Sequence, residues 1–465
     1  MKKMMKEIKK MIIIFPILSV LAAFIVLLSA CGAGIEDNGY GTGTAEQSDV
    51  IGTQTSQTAP GSPGNDHSNT SPDQPSDEFN GGKTDPEENP TQQDDEKDAV
   101  LNFISKMSVE EKIGQLFIVG FQGTVPDDKL VELIGQKHIG GVILFKRNIK
   151  DPKQLVSLNN SIKEINSKSN KVPLFVSVDE EGGRISRMPG QVKQLPSAKS
   201  IGEINSSEIN SNDLSYEFGS LLAIETKAFG FNMDFAPVLD IWSNPKNTVI
   251  GDRAFGTTPE IVVKNGIPVM EGIRDGGIIP VVKHFPGHGD TTVDSHVGLP
   301  SVDYDIQRLK SFEWIPFQSA IDNRADAVMI AHILIPEIDP DNPATLSNTI
   351  IKNILREQMG FDGVVITDDM TMDAIDKNYN IGDASVKSLI AGSDILLVCH
   401  GNEAQIEAIN AVKSAVNDGL ISEKRIDESV YRILMLKRKY QLSDQPTTAV
   451  DLEDINKKID GFLAK

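Results

Sequence analysis

The chain has 465 residues, enough for two or three average domains, and carries 66 acidic against 45 basic side chains, a formal charge of −21 at neutral pH. No stripe of Lys and Arg accompanies an aromatic series, so nucleic acid is not an expected partner. Its two cysteines are Cys31 near the start and Cys399 inside the apolar run Ile395–Cys399, so no disulfide framework is expected and Cys399 reads as a core thiol.

The N-terminus starts with Lys2, Lys3, Lys6, Lys9 and Lys10, continues through an apolar run from Met11 to Leu28, and reaches Ser29-Ala30-Cys31-Gly32. A positive segment, an apolar segment and small residues before a break read as an export signal over residues 1–31. The cysteine at that break resembles the lipobox of bacterial lipoproteins, which implies lipidation of Cys31 and anchoring at the extracellular face of the cell membrane. A retained transmembrane span of about 18 residues is the alternative, and it leaves the chain in the same place. Residues 32–97 are Gly, Ser, Thr, Pro, Asn, Gln and acid. Such a stretch cannot bury enough apolar surface to offset the entropy of ordering its backbone, so a disordered tether is expected, with a reach of about 40–45 Å.

From residue 98 to 442 short apolar runs recur: Leu116–Phe121, Ile139–Phe145, Leu174–Val178, Met233–Leu239, Ile278–Val282, Ala327–Ile333, Val364–Ile366 and Ile395–Val398. Segments at helical spacing lie between most of them, among them Leu155–Ile165, Leu214–Ala228, Ile261–Gly272, Ile306–Ala320 and Ile350–Met359. Strands alternating with helices indicate parallel βαβ units, and eight of them suit a closed (β/α)8 TIM barrel. The polar residues favour the barrel over an open sheet. Asp179-Glu180-Glu181 follow the third run, Asp240 the fourth, Lys283-His284 the fifth and Asp368-Asp369 the seventh, while His332 sits late in the sixth. A barrel gathers all these strand ends around one axis. Residues 443–465 are expected to be a tail packed on the barrel or extending from it.

Three of these exits carry candidate chemistry. A carboxylate at Asp368 or Asp369, held by a rigid strand end, can serve as nucleophile or metal ligand. Neighbouring strand residues face opposite sides, so one of the two is expected to be chemical and the other structural, and the sequence leaves the choice open. The stretch KHFPGHGDTTVDSH, Lys283 to His296, crowds three histidines, a lysine and two aspartates onto a glycine-shaped loop, and there Asp294 can orient His296 for proton transfer. The third, Asp179 to Arg187, sets three acids before two arginines, a pattern suited to a polyhydroxylated ligand, and Gly251–Gly256 is a second glycine-bounded basic loop.

LFVSVDEEGGRISR, GDRAFG, KHFPGHGDTTVDSH and VVITDDMTM together resemble, in order, the signatures of glycoside hydrolase family 3, in its β-N-acetylhexosaminidase branch of peptidoglycan-recycling enzymes. The resemblance runs from about Ser108 to about Leu436. It implies a retaining β-N-acetylglucosaminidase in which Asp368 is the nucleophile, His296 the acid/base and Asp294 its orienter. The same resemblance places Asp179, Arg187, Arg253, Lys283 and His284 around the N-acetylglucosamine unit. It implies no cofactor or metal, a monomer, and peptidoglycan or muropeptides as substrate. Many extracellular relatives carry a second α/β sandwich domain, for which the tail is too short. Two rivals come from the residues themselves. One is a metal-dependent barrel hydrolase using His284, His288 and His296, and the other a non-catalytic sugar-binding surface lipoprotein.

Overall fold

A computed structural model of the chain describes residues 90–207, 212–291 and 298–465. The expected signal segment with Cys31, residues 32–89 of the expected tether, and Asp294 and His296 lie outside the described residues. Among the described residues no helix is long and apolar enough to cross a membrane.

Eight parallel strands close a barrel in chain order: β1 (Phe117–Gly120), β2 (Gly141–Leu144), β3 (Phe175–Val178), β4 (Met233–Asp234), β5 (Ile279–Phe285), β6 (Ala327–Ile330), β7 (Val364–Asp369) and β8 (Ile395–Val398). Closure comes from β1 on β8, with Phe117 opposite Leu396 and Val119 opposite Val398. The expected (β/α)8 fold is what the chain adopts. Side chains fill the axis and helices cover the outside, so strands such as β1, β2 and β8 are buried at every residue and read as continuous apolar runs. The covering helices follow from ordinary signals. Pro152–Ser169, for example, starts with Asp151 accepting from the Gln154 N–H and Pro at its first position, and buries Leu155, Leu158 and Ile162 at helical spacing.

Several boundaries differ from the sequence reading. Strand β5 runs on to Phe285, so Lys283 and His284 lie within it, and β7 includes Asp368 and Asp369. At the mouth of a barrel an inward polar residue borders a cavity, so charge does not end the strand. The β4 ladder is only Met233–Asp234, followed by a cis Ala236–Pro237 bond. The expected helix Ile306–Ala320 is two helices, Ile306–Ser311 and Ile315–Asp322, the second opening with Pro316, which has no N–H to continue the first. Helix Pro90–Ile104 begins inside the stretch assigned to the tether, and its Val100 and Ile104 are buried, packing beside helix Glu423–Lys439. At the other end of the chain, helix Leu452–Leu463 buries Ile455, Ile459 and Phe462 on helix Asn212–Ala228.

At the end of the barrel where the strands begin, an ionic cluster ties β7 and β8 to the surrounding helices. Asp394, immediately before β8, is buried and accepts from Ser429 Oγ at 2.6 Å and the Val365 N–H at 3.0 Å, with Arg356, Arg432 and Arg425 around it. Burial opposes its charge, but the three guanidiniums outweigh burial and hold its carboxyl below the usual range.

Candidate active site

The strand ends converge on a cavity of about 330 Å³ lined by Asp179, Arg187, Arg253, Lys283, His284 and Asp368, among others. All six are residues singled out from the sequence. Each reaches the cavity for a local reason.

The aspartate pair ends β7. Asp369 is buried, and its Oδ1 accepts from the Thr371 N–H at 2.9 Å, Thr371 Oγ1 at 2.7 Å and the Cys399 N–H at 3.0 Å. His332 bonds the Asp369 carbonyl through Nε2 at 2.9 Å and Thr345 Oγ1 through Nδ1 at 2.7 Å, fixing the strand end from below. Asp369 is thereby committed to structure. Asp368 is half-buried, its Oδ1 accepting from the Asp369 N–H at 2.8 Å, and its carboxylate borders the cavity. The two do not simply alternate as expected: the register against β8 slips between Ile366 and Asp369, and both border the cavity.

The three acids after β3 take three separate positions. Asp179 faces the cavity and accepts from Lys283 Nζ at 2.7 Å. Glu181 is a buried keystone: Oε1 takes Arg253 Nη2 at 2.7 Å and Lys283 Nζ at 2.7 Å, and Oε2 takes Arg253 Nε at 2.8 Å. Burial opposes ionisation of Glu181, but the two cations win, and its carboxyl titrates far below the usual range. Against the same burial penalty, Glu181 and Asp179 hold the charges on Arg253 and Lys283 in place. Glu180 turns under its own loop. Its Oε2 accepts from the Arg187 N–H at 2.7 Å and the Met188 N–H at 3.3 Å, and burial raises its pKa to about 7. It sits electrostatically beside Glu225 and Asp234, both buried and both pushed well up by burial first and their neighbours' charge after it. Arg187 reaches the cavity with a buried Nε that has no hydrogen-bond partner among the described residues. Arg184, its sequence companion, is structural: it bonds Asp252 Oδ1 and the carbonyls of Thr248, Val249 and Ile250, tying the β3 exit to the Gly251–Gly256 loop.

The ladder between β5 and β6 slips between Val282 and Phe285, and the Lys283–His284 peptide is cis. Both side chains line the cavity. His284 Nδ1 bonds Asp240 Oδ2 at 2.6 Å, and Asp240 Oδ1 also accepts from the His288 N–H at 2.7 Å. With Nδ1 engaged by a carboxylate, Nε2 faces Arg253 Nη2 at 3.4 Å and the cavity. Burial, then the neighbouring His284, pulls His288 down to about 4, so it is neutral at neutral pH, and its Nδ1 is engaged by Thr291 Oγ1 at 2.8 Å.

The sequence placed Glu181 and Asp240 at strand exits but gave neither an individual role; in the structure they hold the cations and the imidazole of the site. Each was visible only as one acid after a strand, and its partners lie tens of residues away. Sequence reasoning also passed over the wall formed by Phe145 and His400, with ring centroids 5.4 Å apart and Arg147 over the Phe145 ring at 4.3 Å. Among the described residues no group of three or more His, Cys, Asp or Glu is arranged to hold an ion; His296, which the metal-dependent rival also uses, lies outside them. The site is a cage of fixed donors and acceptors facing a strand-end carboxylate, which is what positioning a polyhydroxylated ring and attacking it would require.

Comparison with known proteins agrees with this geometry. A model of the glycosyl hydrolase family 3 N-terminal domain matches residues 108–436. The chain is 34% identical over 336 residues to β-hexosaminidase A of Pseudoalteromonas piscicida, covering 68% of this chain and 56% of that one, so it spans little over half of that relative. It is 38% identical over 272 residues to a β-hexosaminidase of Thiobacillus denitrificans, covering 58% of this chain and 74% of the relative. Among solved structures, a glycoside hydrolase family 3 β-N-acetylglucosaminidase from Paenibacillus sp. str. FPU-7 superposes with a TM-score of 0.71 at 40% identity, covering 77% of this chain and 68% of that one.

Proposed function

The chain belongs to glycosyl hydrolase family 3, and from that premise we propose that it is a retaining β-N-acetylglucosaminidase that removes N-acetylglucosamine from the non-reducing end of peptidoglycan or muropeptides. The observation that carries the reading is the division within the aspartate pair. Asp369 has its Oδ1 taken by Thr371 and Cys399 and its Oδ2 3.6 Å from His400 Nε2, while Asp368 meets the cavity that Asp179, Lys283, His284 and Arg253 also line.

The mechanism takes Asp368 from this placement and His296 and Asp294 from the family resemblance. A carboxylate oxygen of Asp368 attacks the anomeric carbon, the bond to the leaving oxygen breaks, and His296, protonated and oriented by Asp294, gives that oxygen its proton. Water then attacks the same carbon, His296 takes the proton, and the Asp368 carboxylate is released with the β configuration retained. A histidine with an ordinary pKa near 6.5 can exchange these roles close to neutrality. The loop bearing Asp294 and His296 leaves the described structure just after Thr291, which bonds the cavity-lining His288. Asp179, Arg187, Arg253, Lys283 and His284 bind the ring's hydroxyls, and charge-assisted hydrogen bonds there strengthen as the oxocarbenium-like state forms. The export signal, Cys31 and the polar tether support a lipid-anchored enzyme at the outer face of the membrane, within reach of the wall.

The test is covalent. A slow fluorinated N-acetylglucosamine analogue should label Asp368, located by mass spectrometry, and Asp368→Ala should lose nearly all turnover. A label on Asp369 would overturn the assignment. Incubation with purified muropeptides should release free N-acetylglucosamine; release of glucose alone from β-glucosides would sink the substrate assignment. His296→Ala should slow substrates with poor leaving groups far more than activated aryl glycosides, whereas equal losses on both would remove the acid role.

A further inference from the structure

The C-terminal tail runs the length of one strand. It begins at Asp444, whose carboxylate accepts from the Leu174 N–H at 3.3 Å, at the start of β3, and from Asn166 Nδ2 at 2.6 Å. It then passes Thr447, whose N–H and C=O bond the two ends of the Asn160 amide at 2.7 and 2.9 Å. It finishes in helix Leu452–Leu463, which reaches the loop leaving the far end of β3. That loop is the one bearing Asp179 and Arg187.

Contact with the loop is specific. Asn456 uses both ends of its amide on loop backbone, donating to the Gln191 carbonyl at 2.9 Å and accepting from the Lys193 N–H at 2.8 Å. Lys193 also pairs with Asp460. Phe462, buried, packs on Phe218 with centroids 6.2 Å apart. Phe218 in turn lies directly under Gly182: a Cβ there would stand 3.1 Å from its ring, and Gly182 adopts φ +72. The loop closes on itself through the Gly183 N–H to Leu195 C=O bond at 3.0 Å and the Glu181 N–H to Ile185 C=O bond at 2.9 Å. A continuous packed path therefore joins the terminal helix to the segment that presents Arg187.

We propose that helix Leu452–Leu463 is a positioning strap for the substrate loop after β3, with Asn456 its positioning residue and Phe462 its packing anchor. The strap fixes residues 182–196 so that Arg187 meets the sugar without the loop having to be ordered at binding, and it thereby acts on affinity more than on the chemical step. This rests on the reading of Arg187 as a sugar-binding group.

The test uses the full chain and three variants. Asn456→Ala should raise KM for an aryl N-acetyl-β-glucosaminide on the order of 5–10-fold, the factor that one or two lost hydrogen bonds convert to, with kcat changed less than about twofold. Hydrogen exchange should rise in residues 182–196 and stay unchanged at the β7 end. Asn160→Ala, which removes the amide that holds the lower half of the tail at Thr447, should leave KM and that exchange unchanged even if the melting temperature falls. If Asn456→Ala lowers the melting temperature but leaves either loop exchange or KM at the wild-type value, the strap is only structural and the proposal is overturned. Arg187→Ala separates the two readings: an unchanged KM there refutes the sugar-binding assignment, while the exchange measurement still decides the strap.

Discussion

Glu181→Gln places the heaviest demand on this account of the site. The carboxylate accepts three charge-assisted bonds, two from Arg253 at 2.8 and 2.7 Å and one from Lys283 at 2.7 Å, in a position that is 6% exposed. The amide offers one acceptor and turns an NH₂ toward a cation, leaving Arg253 buried without its counter-charge and Lys283 with Asp179 alone. Removing one partner of a buried pair costs about 3–5 kcal/mol. At about 2 °C per kcal/mol for a domain of this size, the melting temperature should fall by about 6–10 °C. The pH dependence has a definite sign. Folding depresses the Glu181 carboxyl, so its stabilisation is fully present above the unfolded value near 4.3 and is lost as pH falls below it toward the native value. The gap between wild type and variant, measured by urea unfolding with circular dichroism, should be full at pH 7 and 5 and smaller at pH 3.5. Pairing the change with Arg253→Met should cost at least about 1 kcal/mol less than the sum of the single variants. A gap below about 1 kcal/mol at pH 7, or one independent of pH, would refute the keystone role.

Glu225→Gln should have the opposite pH sense. Burial, and after it the charge of neighbouring acids, raises Glu225 and Asp234, and burial raises Glu180 to about 7; unfolded carboxyls ionise near 4.3, so these groups withdraw stability as pH rises across that window. The variant should gain on wild type between pH 5 and 7 in urea unfolding, a comparison in which the other titrating groups cancel, and a constant difference would count against the cluster. Asp394→Ala strands Arg356, Arg425 and Arg432 and should cost about 3–5 kcal/mol while leaving kcat of the folded enzyme at the wild-type value, as a melt and an activity assay on one sample would show. Cys399, raised first by burial and then by the charge of Asp369, should resist iodoacetamide at pH 8 in the native protein and react fully in urea.

The barrel was legible because its strands are buried on both faces and so form unbroken apolar runs, while the connecting helices carry ordinary caps and spacing. The endings of β5 and β7 were not, because Lys283, His284, Asp368 and Asp369 look like loop residues until a cavity is known to lie beside them. The aspartate pair shows the limit of local reasoning: alternation says that the two differ, but only the bonds from Thr371 and Cys399 say which one is committed to structure. Likewise Asp179, Glu180 and Glu181 are three consecutive acids in the sequence, and what distinguishes them is Lys283, the Arg187 backbone and Arg253, of which only Arg187 is near along the chain. The tail was expected to pack on the barrel or extend from it, and its polar composition conceals that Asn456 meets backbone rather than water.

The cluster around Asp394 has a bearing on how this enzyme can change. It sits at the foot of β8, and the residues bordering the sugar cavity, Cys399 and His400, sit at its head. Six residues of extended chain separate the two by up to about 20 Å, a distance over which free-energy changes usually add independently. Substitutions that reshape the mouth for another sugar will mostly weaken folding, and compensation can be installed around the three guanidiniums at the foot without disturbing the new specificity. A library that varies the β3, β5 and β8 exits together with positions neighbouring Arg356, Arg425 and Arg432, those three kept, would therefore explore new substrates along a route in which lost stability is recoverable at the opposite pole of the same strand.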